Sequence, residues 1–172
     1  MDYTISVLVE NHPGVLARIS GLLSGRGFNI RSIAAGETED PSITRIIMVV
    51  AGNERIIDQV KKQLDRLVDV IRITDLTEIP AVDRELALVK VSSSVSQRTE
   101  VFQIVDVFRG KIVDIAHKSL TVEVTGVTEK IEALIEMLRP FGISEIVRTG
   151  KISIARGGGL TEKGDESRAY ED

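Results

Sequence analysis

Cysteine is absent from this chain of 172 residues, and aromatic residues make up only 3% of it. The absence of cysteine excludes disulfide scaffolds, thiolate zinc sites and cysteine nucleophiles. There is no apolar run of about 18 residues, and no basic region precedes an apolar stretch at the start, so we expect neither secretion nor a membrane span. A cytoplasmic location is therefore predicted.

Basic character is also missing, since 22 basic residues face 26 acidic ones and the net charge is −4. Nucleic-acid binders usually present a basic face that displaces counterions from phosphate. Four Phe and two Tyr leave few side chains for base stacking. The composition therefore argues against a nucleic-acid partner.

Aliphatic residues are abundant: 54 of the residues are Ile, Val or Leu. Burial of each such side chain contributes about 1.5–3 kcal/mol, so the chain can form a sizeable core. Disorder over most of the length is excluded.

Apolar spacing predicts six elements in the first half of the chain, in the order β-α-β-β-α-β. The segment 11–14 separates the first strand from the first helix, and Asn53 is the expected cap of the second helix. The predicted strands span residues 3–10, 28–36, 43–51 and 68–76, and the helix faces carry Val15, Leu16, Ile19, Leu22 and Leu23, then Ile56, Ile57, Val60, Leu64 and Leu67.

The second half repeats this order, with Ser96 and Thr128 as expected helix caps and Pro140 as the expected end of the last helix. The predicted strands span residues 86–91, 111–117 and 120–125, with one or two more within 143–154. We therefore predict an α+β protein of two ferredoxin-like βαββαβ domains, each an antiparallel sheet with its helices on one face.

Composition also indicates where the domains end. We predict a first domain over residues 1–77, a linker over 78–83 centred on Pro80, and a second domain over 84–156. The polar residues 157–172 open with three glycines and are expected to form a flexible tail.

Catalytic and metal-binding signals are weak. His12 and His117 are the only histidines and lie far apart in sequence, so no metal site is predicted. The run 157–159 lacks the Lys-Ser/Thr that follows the glycines of a phosphate loop. No carboxylate has an apolar sequence context that indicates a raised pKa, so no catalytic residue is predicted.

The segment 10–16 is different, because a strand end, Asn11 and a Pro-Gly turn lead into a helix. The free N–H groups at a helix start accept an anion, and Gly14 allows close backbone approach to it. Val15 and Leu16 offer an apolar wall, so the segment suits a zwitterionic amino acid with an aliphatic side chain. The alternative is structural: Asn11 caps the helix and Gly14 relieves a tight turn.

The segment 6–50, SVLVENHPGVLARISGLLSGRGFNIRSIAAGETEDPSITRIIMVV, resembles the ACT domain of the small regulatory subunits of acetolactate synthase, or acetohydroxyacid synthase. The likeness continues in order through residues 59–77, 84–91, 111–126 and 138–157. The joint occurrence of Gly-Phe-Asn-Ile at 27–30, Val-Asp-Val at 68–70 and Arg-Pro-Phe-Gly-Ile at 139–143 makes the resemblance specific.

The resemblance implies a regulator without catalytic residues or cofactors of its own. In that family a separate large subunit holds thiamine diphosphate, Mg and FAD and catalyses the first common step of branched-chain amino-acid biosynthesis. The small subunit activates the large one and makes it sensitive to valine. Because a difference of one methylene changes affinity only about 10–200-fold, leucine and isoleucine are expected to overlap with valine as effectors.

The resemblance also assigns an effector site at a homodimer interface between ACT domains. Residues 1–77 then form the ACT domain. One copy holds the charged end of the effector through its loop and helix start, and the partner copy contributes from the start of its second strand. The residues matched are Asn11, Gly14, Val15 and Leu16 for the first part and Asn29 and Ile30 for the second.

Three other functions share some of these sequence features. A free-standing ACT-type amino-acid sensor would act on some other partner. An RNA-recognition domain shares the element order, but it needs aromatics that the strand segments 5–9 and 43–49 lack. A small ferredoxin-like enzyme needs a paired acid and nucleophile, and none is found.

Overall fold

A computed structural model describes residues 1–157. These residues divide into two compact units, one formed by residues 1–82 with 153–157 and the other by residues 83–152. The longest helices have eleven residues, and no described helix is long and apolar enough to cross a membrane.

The first unit has the predicted β-α-β-β-α-β order. Its elements are β1 (Asp2–Glu10), α1 (Val15–Ser24), β2 (Asn29–Glu37), β3 (Ile43–Ala51), α2 (Glu54–Leu64) and β4 (Val70–Asp75). The four strands form an antiparallel sheet in the order β2-β3-β1-β4, so β2 and β4 are its edges.

The core of this unit lies between the sheet and its two helices. β1 is central, and seven of its nine residues are buried. The apolar stripes of α1 and α2 cover one face of the sheet, because side chains at helical spacing meet side chains that alternate along a strand. The fully buried members include Ile5, Val7, Ile19, Leu23, Ile46, Met48, Ile57 and Leu64.

The second unit repeats the arrangement. Its elements are β5 (Ala81–Ser92, of which the first two residues belong to the first unit), α3 (Arg98–Val107), β6 (Lys111–Ile115), β7 (Ser119–Gly126), α4 (Thr128–Leu138), a 3-10 turn (Arg139–Phe141) and β8 (Ile143–Arg148). β9 (Ile152–Ala155) follows, and from Ser153 onward it belongs to the first unit. The sheet order β6-β7-β5-β8 matches that of the first unit. The predicted fold class, two βαββαβ units with antiparallel sheets, is confirmed.

The segment predicted as a linker differs from the expectation. β5 begins at Ala81, five residues before the predicted strand, so residues 81–83 are extended. Arg156 accounts for part of this, because its main-chain N–H donates to Pro80 O at 2.8 Å and its Nε donates to Ala81 O at 3.1 Å. Such a distant partner is not visible in local sequence. Residues 158–172 of the predicted tail lie outside the described residues.

The expected helix caps are only partly confirmed. The Asn53 side chain accepts a hydrogen bond from Ile56 N at 3.0 Å and caps α2. The prediction that Ser96 and Thr128 cap the third and fourth helices is wrong. The N-cap of α3 is Gln97, and the Ser96 hydroxyl instead contacts the Ser94 hydroxyl at 3.0 Å. Thr128 is already inside α4, where its hydroxyl lies 3.5 Å from Glu85 Oε2.

An ion pair near the start of β5 stabilises the second unit. Glu85 is buried and accepts two hydrogen bonds from Arg148, from Nε at 2.6 Å and from Nη2 at 2.9 Å. Arg148 also donates to Glu132. Hydrogen bonding to Glu85 raises the pKa of Arg148 above its ordinary value, against the opposing effect of burial. The pair therefore joins β5, β8 and α4.

We predict that Glu85→Gln lowers the free energy of unfolding by about 1–3 kcal/mol, because the bidentate pair is lost and a partly buried guanidinium keeps fewer acceptors. Urea denaturation of the full chain measures this. Glu145→Gln is the matched control, since Glu145 pairs with Lys90 at 2.9 Å with both side chains largely exposed, and we expect little change. Equal losses in the two variants would contradict the assignment.

Candidate functional site

The loop between β1 and α1 turns through a single glycine. Gly14 is the N-cap residue of α1 and has φ 91° and ψ −10°, in the left-handed region that favours glycine. A Cβ placed on Gly14 would meet no atom within 4 Å. The backbone conformation therefore requires glycine, and the space in front of it is open to a ligand.

Asn11 anchors this loop to the segment between β2 and β3. Its side-chain Nδ2 donates to Pro41 O at 2.8 Å and to Glu37 Oε1 at 3.2 Å, and its main-chain N–H donates to Ser42 O at 2.7 Å. Asn11 does not cap α1. The structural alternative is therefore wrong in giving Asn11 the role of a cap and correct in assigning a tight turn to Gly14.

The start of α1 has no side-chain cap among residues 1–157. The N–H groups of a first helical turn have no acceptor within the helix, and the helix dipole gives this end a partial positive charge. Val15 is only 4% exposed and packs into the core, whereas Leu16 is 46% exposed. The expected apolar wall is therefore Leu16 alone, because the Val15 side chain packs into the core and its main-chain N–H donates to His12 O at 3.4 Å.

An ion-pair network lies beside the loop and was not foreseen. The buried carboxylate of Asp69 accepts a hydrogen bond from Arg18 Nη2 at 2.7 Å, and His12 Nδ1 lies 3.7 Å from the same oxygen. The other His12 ring nitrogen contacts Glu10 Oε2 at 2.8 Å, and Glu10 N donates to Asp69 O at 2.9 Å. The sequence places Arg18 one turn into α1, close to the loop. It does not identify Asp69 as the partner of Arg18, because the two residues are 51 positions apart.

The carboxylate and imidazole atoms of Glu10, His12 and Asp69 lie within 4.8 Å of one another, as metal ligands do. Arg18 already pairs with the buried carboxylate, so the geometry is that of an ion-pair network that holds the loop on the body of the unit. This network and the Asn11 bonds restrain the loop from two sides.

Asn29 and Ile30 lie at the opposite end of the sheet. Asn29 is paired with Ala51, and Ala51 is paired with Asp2 at the start of β1. The loop follows Glu10 at the other end of β1, and a strand advances about 3.3 Å per residue. The two parts of the predicted site are thus separated by on the order of 25 Å within one chain. Only Asn11, Gly14, Val15 and Leu16 are brought together.

A tight glycine turn thus leads from a strand into an uncapped helix on a four-stranded βαββαβ unit. Residues 5–72 match the acetohydroxyacid synthase small-subunit-like ACT domain, and residues 84–157 match the small subunit of acetolactate synthase. The first unit is therefore an ACT domain.

Full-length relatives narrow the class further. The chain is 47% identical to the acetolactate synthase small subunit of Aquifex aeolicus, over 95% of this chain and 86% of that one. It is also 47% identical to the Mycolicibacterium smegmatis small subunit, over 90% and 91% of the two chains. The crystal structure of the Thermotoga maritima small subunit matches with a TM-score of 0.84 at 39% identity, covering 91% of this chain and 98% of that one. The chain belongs to the acetolactate synthase small-subunit family.

We predict that Asn11→Asp detaches the loop between β1 and α1 from the segment between β2 and β3. The donating amide becomes a carboxylate oxygen that faces two acceptors, Pro41 O and Glu37 Oε1. The amide hydrogens of residues 38–40, 42 and 43 should then exchange about tenfold faster, as measured by hydrogen–deuterium exchange. Asn53→Asp is the control, since the side-chain oxygen of Asn53 is an acceptor and Asp caps a helix equally well. Unchanged exchange in Asn11→Asp would show that the bonds do not hold the loop.

Proposed function

We propose that this chain binds the catalytic large subunit of acetolactate synthase, activates it and makes it sensitive to valine bound between two ACT domains. The observation that carries the proposal is the uncapped start of α1, opened by Gly14 and flanked by the anchored Asn11. Both units match small-subunit families, which supports the large subunit as the partner. A free-standing sensor would act on some other protein.

Valine fits the chemistry of this site. Its carboxylate accepts hydrogen bonds from the N–H groups at the start of α1, and its isopropyl group lies against the exposed part of Leu16. An apolar wall distinguishes side chains that differ by one methylene only about 10–200-fold. Leucine and isoleucine are therefore expected to compete with valine.

A dimer supplies the second part of the site. β2 is an edge strand, so two copies can join their sheets by antiparallel pairing of β2 with β2. Centred on Ile33, this pairing places Asn29 of one copy opposite Glu37 of the other. Glu37 accepts the hydrogen bond from Asn11, so the second copy's Asn29 and Ile30 approach the anchored loop.

The character of β2 supports such pairing. Proteins usually protect edge strands by keeping them short or by placing charges and prolines on them. β2 is nine residues long, contains no proline, and carries charges only at Arg31 and Glu37. Ile33, at its centre, is 37% exposed. A second copy would cover both the free backbone and this side chain.

The chemistry of catalysis belongs to the large subunit in this proposal. Thiamine diphosphate, Mg and FAD are placed there, and this chain contributes binding energy and no reacting group. Such a regulator acts through a coupling free energy, typically about 1–3 kcal/mol between effector and partner sites. The cytoplasmic location stays a prediction from the sequence.

Reconstitution with the catalytic subunit tests the proposal, with acetolactate formation measured against valine concentration. The full chain should raise the rate, and valine should lower it again. Gly14→Asp should abolish the valine response and keep the activation, because its carboxylate would face the carboxylate of the ligand.

Gly14→Asn is the matched control. Both side chains have the same shape, and both meet the same left-handed backbone conformation, so their strain is similar. We expect Gly14→Asn to keep a weakened valine response. Full valine sensitivity in Gly14→Asp would show that the effector does not bind here, and no change of rate with the unaltered chain would remove the regulatory role itself.

We predict that Ile33→Glu weakens the dimer at least tenfold, because antiparallel β2 pairing places the two new carboxylates opposite each other. Analytical ultracentrifugation measures the dissociation constant. Val95→Glu is the control: Val95 is 77% exposed and lies in the loop before α3, so the same change of charge should leave the dimer intact. Equal affinity of the two variants would place the dimer interface elsewhere.

A further inference from the structure

A cavity of about 340 Å³ lies in the first unit, between α2 and the end of β4. It is far from the loop at Gly14 and on the sheet edge opposite β2. Three of its residues are apolar or aromatic, four carry carboxylates and one carries an ammonium group. They are Tyr3, Ile57 and Ile79, then Glu54, Asp58, Asp75 and Glu78, and finally Lys61. We refer to this cavity as the α2–β4 pocket.

The carboxylates of this pocket outnumber its cations. Lys61 Nζ donates to Asp75 Oδ2 at 3.2 Å and lies 3.7 Å from Asp58 Oδ1. Glu54 and Glu78 have no ion-pair partner within residues 1–157. The formal charge of the lining is therefore strongly negative.

Tyr3 carries a hydroxyl group that lacks a partner. The residue is 7% exposed, and within the described part of the chain no group forms a hydrogen bond with its hydroxyl. The ring is buried in the core while the hydroxyl reaches the pocket, so its oxygen is free to bond a ligand there. Burial raises the pKa of Tyr3, and the negative charges of Glu54, Glu78 and Asp75 raise it further. The phenol thus stays protonated and adds an acceptor oxygen beside the carboxylates.

Asp75 is already committed on both of its oxygens. One accepts from Thr77 N at 3.1 Å and the other from Lys61. Burial acts to raise the pKa of Asp75, but the hydrogen bonds from Thr77 and Lys61 outweigh it and hold the pKa below its usual value. A further cation must therefore bind the remaining carboxylates, those of Glu54, Asp58 and Glu78.

These features favour an organic ammonium over a metal ion. Mg²⁺ requires a close octahedral shell of oxygens and keeps several waters, whereas Ile57, Ile79 and the Tyr3 ring form apolar walls. An alkylammonium group donates three hydrogen bonds to carboxylate and phenol oxygens, and its carbon chain packs on apolar walls. The Lys61 side chain already binds in this manner inside the pocket.

We propose that the α2–β4 pocket binds a primary alkylammonium group, either a free aliphatic amine or a lysine side chain of the catalytic subunit. The free-amine form does not depend on the proposed function. The lysine form rests on it.

Titration of the isotopically labelled full chain with 1,4-diaminobutane, followed by NMR, tests the proposal. The signals of Tyr3, Ile57 and Ile79 should shift and saturate, and the neutral analogue 1,4-butanediol should shift none of them. Glu78→Gln should weaken binding about two- to fivefold through the loss of one carboxylate. Tyr3→Phe should weaken it by a similar factor, because it removes only the hydroxyl.

Glu39→Gln is the matched control, since it removes the same charge from an exposed loop residue outside the pocket. It should leave the affinity for the diamine unchanged. Equal weakening by Glu39→Gln and Glu78→Gln, or equal binding of the neutral diol, would overturn the ammonium site.

A second measurement distinguishes the two sources of the ammonium group. If the catalytic subunit supplies a lysine, Glu78→Gln weakens association with that subunit, and the diamine competes with it. If a free amine is the ligand, association is unchanged while the diamine still binds the isolated chain. Absence of both effects, at diamine concentrations up to about 10 mM, would overturn the proposal.

Discussion

β1 is the strand on which the first unit depends. It pairs with β3 along all nine residues and with β4 on its other side, and it is buried on both faces. A one-residue shift of its register would turn Thr4 and Ser6 toward the apolar core and move Ile5, Val7 and Val9 out of it. The loop that follows Glu10 and the pocket that begins at Tyr3 are therefore presented at fixed positions, at opposite ends of the most constrained element.

The loop at Gly14 shows how the constraint passes from the core to the surface. The left-handed turn is accessible to glycine, and the start of α1 behind it is fixed because Val15 is anchored in the core. Asn11 on one side and the Asp69–Arg18 pair on the other restrain the residues between. The amide groups of the helix start are thus positioned before any ligand arrives, which lowers the entropic cost of binding.

Local sequence predicts the elements of this fold well, because apolar spacing and the Asn53 cap are short-range signals. It misplaces features that depend on distant contacts. Ser96 has the chemistry of a cap, but its hydroxyl bonds to that of Ser94. Ala81 lies in a strand and accepts a hydrogen bond from Arg156, 75 residues away. At the candidate site the turn was predictable from Gly14. The role of Asp69, 51 residues away from Arg18, was not.

In the proposed function, the Asn11 bonds would link so small an effector to the subunit assembly. Valine has few atoms, so the energy available for coupling is limited and must be directed to one movable contact. In the proposed dimer that contact is close by. The loop proposed to receive the carboxylate contains Asn11, Asn11 donates to Glu37, and Glu37 ends the strand along which the two copies would pair. A small displacement of the loop would therefore be transmitted through one side chain to the proposed dimer edge, without any change in the core that supports β1.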